Sequence, residues 1–300
     1  MRLSGGGERT PTMKGNEKLV QKVKRLVKRA GLPRWLNQRG SKKYEFWQHL
    51  LALLFRQEGK YSYRRTSRSL RDLGFPVPTY SALAKMVSRI PSCVWQMLLK
   101  ATANHSPHIV AIDSTWFARS NPSYHYQRRI DRKKPPGIPI KVSVAVDTAK
   151  KVAVGVVVRI LPRGDTVDVA KLLDQSKPQI LVADKGYDSE AVHRQCDERQ
   201  ILSMIPKRDW VKRGWCRRKM MKNFRKRTYN RRAIAEAFFS AIKRKFGTAV
   251  LCQKARSIRA EIYCRLIAHN LKLKIIRNST KPLDSPKTAV LVLITKSSFF

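Results

Sequence analysis

Acidic residues are scarce in this chain: 20 Asp and Glu stand against 64 Lys and Arg in 300 residues, a formal charge of +44. An excess of that size repels itself unless a polyanion lies beside it, which makes nucleic acid the first partner to consider. Long hydrophobic runs are also missing. The longest, Leu50 to Phe55 and Ala289 to Ile294, fall well short of the roughly 20 residues that span a bilayer, so no membrane partner is expected. Cysteine is sparse, and Cys93, Cys196, Cys216, Cys252 and Cys264 are scattered, with no CxxC pair and no close His partner in zinc-ligand spacing. That spacing excludes a zinc-finger ligand set and fits free thiols in a reducing compartment. The N-terminus has no apolar stretch followed by a small-residue cleavage site. A secretory signal is therefore not expected, and the protein is expected in the cytoplasm, beside its DNA. No internal repeat is visible, which argues against a solenoid.

What is present is an apolar content of 42%, enough for a packed core. Residues 1–17 are rich in Gly, Thr and Lys and are expected to be a disordered basic tail. Leu19, Val20, Val23, Leu26 and Val27 then recur at helical spacing until Gly31 and Pro33. Phe46, Leu50, Leu51, Leu53 and Leu54 predict a second helix over about 42–57. Two shorter helical patterns follow, one capped by Ser62 and ending at Gly74, the next capped by Thr79 and carrying Leu83, Val87 and Ile90. Their arrangement reads either as a helix-turn-helix, with Thr79, Tyr80, Ser81, Lys85 and Arg89 in or near a DNA groove, or as an ordinary helical hairpin.

From His108 the period changes to that of strands. Ile109 to Ile112 is a short buried run, Ile140 to Val146 alternates, and Val152 to Val158 is nearly all β-branched. A helix over about 166–174, a strand at 179–183, a helix from Ser189 and a strand at 201–205 complete the series. Three strands, then alternating helix and strand, then a final helix carrying Glu236, is the element order of an RNase H-like α/β core with a mixed five-stranded sheet. The expected organisation is an all-α DNA-binding region over 18–100, the core over 101–278 and a C-terminal tail over 279–300.

Within that order Asp113 ends the first strand, in Ala-Ile-Asp-Ser-Thr, and Asp184 ends the fourth, in Val-Ala-Asp-Lys-Gly-Tyr. These strands are neighbours in the fold, so the two acids are expected to meet at one sheet edge. Either alone reads more simply as a turn or cap residue. Tyr229, Arg232, Glu236 and Lys243 are spaced three, four and seven residues apart, which on a regular helix confines them to an arc of roughly 60°. Ile234, Phe238 and Ile242 are expected on the opposite, packed side. Three convergent carboxylates suit the two-metal chemistry of phosphodiester cleavage, in which paired divalent ions activate the attacking oxygen and stabilise the departing one.

The Tyr-Arg-Glu-Lys spacing, with Ile-Asp113-Ser-Thr, Lys141-Val-Ser-Val-Ala-Val-Asp and Asp184-Lys-Gly-Tyr-Asp, resembles the signature of DDE transposases of the insertion-sequence four/five superfamily of bacteria and archaea. The resemblance spans about residues 109–278. It implies Asp113, Asp184 and Glu236 as catalytic metal ligands, two Mg2+ ions that Mn2+ can replace, and an enzyme acting as a homodimer on double-stranded DNA. Water would attack a phosphodiester at the element's terminal inverted repeat, and the freed 3′-hydroxyl would then attack target DNA. Arg232 and Lys243 would hold phosphates, and Tyr229 would stack on or hydrogen-bond to the DNA end. A nuclease or resolvase on the same fold, or an inactive relic that only binds DNA, are the rival readings.

Residues 207–232 are strongly basic, with Asp209 as the one acid and Trp210, Trp215, Phe224 and Tyr229 interspersed. Lys212, Arg213, Arg217, Arg218 and Lys219 are expected to track a DNA backbone, unless the stretch is a disordered linker. The loop from Tyr124 to Pro139, with Arg128, Arg129, Arg132, Lys133 and Lys134, is expected to reach DNA as well. Asp165 and Asp188 read as helix N-caps, and His105, His108 and His125 carry no assigned role.

Overall fold

The computed structural model describes residues 11–36, 42–103, 106–119, 139–161, 163–211, 213–272, 276–277 and 291–292. The chain divides into two compact units, one formed by Met1–Val87 with Leu271–Phe300 and the other by Ser88–Asn270.

The first unit is helical. Helix α1 (Pro11–Arg29) begins on a proline, a residue suited to the first helical position because its missing N–H has no partner there, and it lies upstream of the apolar stripe that opens at Leu19. Helix α2 (Phe46–Gly59) is buried along most of its length and opens on a reciprocal cap between Glu45 and Gln48. Helix α3 (Tyr63–Asp72) is capped by Ser62, whose hydroxyl accepts from Arg65 N, and helix α4 (Tyr80–Arg89) by Thr79. Ala52, Phe55, Leu70, Val77 and Leu83 form a core beneath α2, α3 and α4. The intervening turn is tied down from both sides, Gln48 donating to Pro76 O at 2.7 Å and Ser67 to Pro78 O at 2.8 Å. The exposed face of α4 carries Tyr80, Ser81, Lys85 and Arg89, and Arg64 of α3 stacks over Tyr80 at 4.8 Å.

The second unit is built on a sheet. Its elements are α5 (Ser92–Ala103), β1 (Ile109–Arg119), β2 (Ile140–Asp147), β3 (Val152–Arg159), α6 (Val169–Ser176), β4 (Ile180–Ala183), α7 (Glu190–Glu198) and β5 (Leu202–Met204), then α8 (Trp215–Met221), α9 (Lys226–Tyr229), α10 (Ala233–Phe246), β6 (Ala249–Val250) and α11 (Ala255–Asn270). The strand order is β3-β2-β1-β4-β5, antiparallel from β3 to β1 and parallel from β1 to β5, with β6 pairing beside the end of β1. That order and polarity are those of an RNase H-like core. The apolar runs explain it: β2 is buried at every position, as expected of a strand covered on both faces. Val110, Ile112, Ala145, Leu172, Leu173, Leu181 and Val192 pack one face of the sheet against α6 and α7. Helix α10 crosses β1 and β2, and α5 and α11 pack together and against β3.

Side chains alternate along β1, and this places the functional groups. Val110 and Ile112 belong to the α6 and α7 face, so Ser114 follows them there. Asp113 and Phe117 point to the other face, where Lys243 of α10 lies 5.7 Å over the Phe117 ring.

The helix expected to run unbroken through Tyr229 and Lys243 is interrupted. Residues Asn230–Arg232 form a single 3-10 turn between α9 and α10. Tyr229 and Arg232 therefore precede the regular helix that carries Glu236 and Lys243, and the constant 100° step holds only from Ala233 onward. The packed side is also shifted: Ala235, Phe238, Phe239, Ile242 and Phe246 are buried, while Ile234 is only half-buried.

Candidate active site

Parallel pairing of β1 with β4 ends at Ile112 opposite Ala183. Asp184 follows directly on the end of β4, whereas Asp113, expected to end its strand, lies within β1, which stays paired with β2 as far as Phe117. The two acids are next to each other because β1 and β4 are neighbours. Facing them, α10 carries Glu236, whose carboxylate pairs with Arg232 one helical turn earlier. The same Arg232 guanidinium stands 3.9 Å from Asp184 Oδ1. Its positive charge is thus shared by two acids, and it also lies over the Tyr229 ring at 5.9 Å. Tyr229 in turn leans on Phe224, with ring centroids 5.6 Å apart.

Asp113 is the most enclosed of the three acids. Burial raises its pKa above the ordinary carboxylate range, and the negative charges of Glu236 and Asp184 push the same way. The Ser114 N–H, donating at 2.7 Å, and Arg232 work against that rise. A group so placed is short of positive charge.

On the opposite face of β1 lies a second polar cluster. Ser114 Oγ donates to Asp165 Oδ1 at 2.6 Å, and the buried Lys141 ammonium pairs with the same carboxylate at 2.6 Å while donating to Arg163 O. Partial burial opposes charge on Asp165, yet Lys141 and Ser114 hold its carboxyl below the usual range. Next to it, Asp168 is wholly buried and accepts from Ser143 at 2.8 Å and from Arg159 at 2.5 Å. Tyr187 is buried against this cluster, its hydroxyl without a hydrogen bond of ordinary geometry, and burial raises its pKa strongly.

Asp165 and Asp188 do not cap helices. Asp165 is paired as described, and the residue before it, Gly164, takes the cap position. Ser189 caps α7 by accepting from Val192 N. Asp188 is buried instead, and accepts from Arg217 Nε at 2.7 Å, Arg208 N at 2.8 Å and His193 Nε2 at 3.1 Å. This also corrects the expectation for Arg217. Its side chain is 7% exposed and spent on Asp188, on the Arg213 carbonyl and on Glu190, so it offers nothing to a DNA backbone. Arg213 and Arg218 are exposed, while Lys219 pairs with Asp197 at 2.7 Å and stacks over Trp215 at 5.2 Å. Trp210 and Trp215 stand out of the surface at 74% and 63% exposure, large apolar areas that no core claims. Lys212 and the loop from Tyr124 to 138 lie outside the described residues.

The site's donors can be matched against a divalent ion by their chemistry. Three carboxylates that supply hard oxygen, one of them with its pKa raised by burial and by its neighbours' negative charge, are what Mg2+ or Mn2+ takes. Among the described residues no three His, Cys, Asp or Glu side chains stand close enough, as arranged, to share one ion. Asp184 and Glu236, with side chains 53% and 51% exposed, are turned to Arg232 instead, and Asp184 Oδ1 also accepts from Lys185 N at 2.7 Å. The donor set fits, and Arg232 is the cation that a metal would replace beside two of its members.

Among curated proteins none matches. One solved structure, a piggyBac transposase synaptic complex with hairpin DNA determined by cryo-EM, aligns at 11% identity over 92% of this chain and 77% of that one. Its TM-score of 0.41 is too loose an overlap to place any residue. The family model for the transposase DDE domain matches residues 104–271, more than half of the chain and nearly all of the sheet-based unit. Divalent metal ions are general in that family. By that match, the chain belongs to the family of transposases with a DDE domain.

Proposed function

We propose that this protein cuts DNA at the ends of an insertion element and joins the freed 3′-hydroxyl to target DNA, with Asp113, Asp184 and Glu236 holding two Mg2+ ions, replaceable by Mn2+. The observation that carries this reading is the approach of Asp113, within β1, to Asp184, just past the end of the neighbouring β4, with Glu236 linked to Asp184 through Arg232. The full Tyr229, Arg232, Glu236 and Lys243 spacing supports a place in the insertion-sequence four/five superfamily, hence a prokaryotic, nucleoid-associated enzyme.

When bound, the metal pair supplies an activated attacking oxygen and charge relief for the departing one. The chain's own part is positioning. Arg232, once its two carboxylates pass to metal, is left to pair with a phosphate and so holds the DNA end. Lys243, on the same side of α10 and over Phe117, is about 13 Å along β1 from Asp113, by the strand rise over four residues, and would grip a phosphate further from the cut. Tyr229, braced by Phe224, presents a ring face to the DNA end. Element inverted repeats and target DNA are the two nucleic-acid partners, and a homodimer would hold a pair of ends.

Glu236→Gln keeps the size of the side chain and removes its charge. It is expected to abolish Mg2+-dependent cleavage of element-end DNA, with affinity for that DNA within about twofold of the parent, since binding is dominated by the basic side chains. Normal cleavage by the variant would overturn the carboxylate assignment. Cleavage without joining by the parent protein would favour a nuclease instead.

A further inference from the structure

The buried cluster around Asp188 has no part in the reaction as described, and its position gives it one. Asp184 and Asp188 bound a single short turn whose middle residues, Lys185 to Tyr187, form one 3-10 turn. At the far end of the turn Asp188 is inaccessible, clasped by Arg217, His193 and the Arg208 N–H. Arg208 closes the loop from the other side: its guanidinium donates to Lys185 O at 3.1 Å and to Gly186 O. Two successive carbonyls between the aspartates are thus held by Arg208, and Asp209 adds a pair with Lys185 Nζ at 2.6 Å. The residues that do the holding, 208 to 217, belong to the basic segment with the exposed Trp210 and Trp215. Arg208 itself lies 5.8 Å over the Trp210 ring.

We propose that Arg208 and Asp188 are positioning residues for Asp184: they lock the turn that aims its carboxylate and make that turn one mechanical piece with the basic segment. The proposal rests on the reading of Asp184 as a metal ligand. A buried charge-paired anchor at one end and a two-carbonyl clamp at the middle leave the Asp184 backbone little freedom, as the outer hydrogen bonds of a metal site do for its ligands. Contact of nucleic acid with the basic segment would then bear on the aim of Asp184 without touching it.

The test is Mn2+ binding by the full chain, followed by calorimetry or electron paramagnetic resonance without DNA, alongside the thermal midpoint. Arg208→Ala is expected to weaken Mn2+ binding about tenfold while the protein stays folded, and Arg208→Lys, which can still reach one carbonyl, to recover most of that loss. Unchanged Mn2+ affinity in a folded Arg208→Ala overturns the proposal. Should the alanine variant not fold, Arg208→Gln decides it, with about a tenfold loss upholding the proposal and parental affinity overturning it. Asp184→Asn separates the two layers of argument. If it binds Mn2+ as the parent does, the metal-ligand reading itself fails; if it loses Mn2+ while Arg208→Ala keeps it, only the positioning role fails.

Discussion

His193 shows how completely surroundings set the behaviour of one residue. It is 0% exposed, with Nε2 3.1 Å from Asp188 Oδ1 and Nδ1 2.8 Å from Ser203 Oγ. A carboxylate only accepts, so Nε2 carries the hydrogen, and Nδ1 of the neutral ring accepts the Ser203 hydroxyl. Ser, His and Asp in that order would suit a nucleophile, but Ser203 is 1% exposed and no substrate reaches it. Burial lowers the His193 pKa below its ordinary value, and this outweighs the upward pull of Asp188. The sign of the stability effect follows. In the unfolded chain the ring takes a proton near pH 6.5, whereas the folded chain accepts it only at lower pH, so this contribution is complete above about pH 6.5 and is lost as pH falls toward the folded value. Between pH 6.5 and 5 the parent is expected to lose stability at up to about 1.4 kcal/mol per pH unit, and His193→Gln to show a flatter profile in denaturant titrations at each pH. Equal slopes for the two proteins would rule out His193 as the titrating group. Asp188, held below the usual carboxylate range by Arg217 and the Arg208 N–H despite its burial, adds its own loss only in stronger acid.

At the scale of elements, the join between α7 and α8 depends on a residue with no side chain. Gly214 precedes α8 with φ +131, and a Cβ there would fall 2.2 Å from Glu190 Oε2 and 2.6 Å from Arg217 Nη1. Glu190, at the start of α7, needs that space to accept from Cys216 N at 2.8 Å and Arg217 N at 3.2 Å, satisfying donors at the first turn of α8. Gly214→Ala is expected to cost about 2 kcal/mol, from backbone strain and the displaced carboxylate together, read as a lower midpoint in urea with an unchanged slope; a shift within error would mean that α8 docks by other contacts. This join marks the limit of what the chain's pattern reveals. The strands were legible because β-branched runs and alternation are local, and Asp113 and Asp184 stood out because each ends such a run. Arg217 and Asp188 are 29 residues apart, and nothing between them signals that a basic residue in a basic stretch is buried. Asp188 reads as a cap because it precedes a helix, but the adjacent Ser189 takes that job and leaves the carboxylate for the interior. The break at Asn230–Arg232 was hidden for a related reason: spacing along the sequence reads the same in α and 3-10 turns, although their rotation and rise per residue differ.

For the whole molecule the governing quantity is the +44 charge. With 64 Lys and Arg against 20 Asp and Glu, the bases outnumber the acids more than three to one, so most of them cannot have an acid to themselves. Their mutual repulsion opposes compaction in the free protein, and added salt screens it, since the Debye length falls from about 10 Å at 0.1 M to about 3 Å at 1 M. Affinity for DNA responds in the opposite direction, because each phosphate neutralised releases counterions that high salt returns. The two effects make a paired expectation that a protein of balanced charge would not show. Raising sodium chloride from 50 to 500 mM should raise the thermal midpoint of the free protein by a few degrees while weakening its DNA binding by at least about a thousandfold, and DNA added at low salt should raise the midpoint in place of the salt. Thermal scans of the free protein across that range decide the matter: a flat or falling midpoint would mean that the cations are already neutralised within the fold, and the surplus charge would then be no measure of a DNA-binding surface.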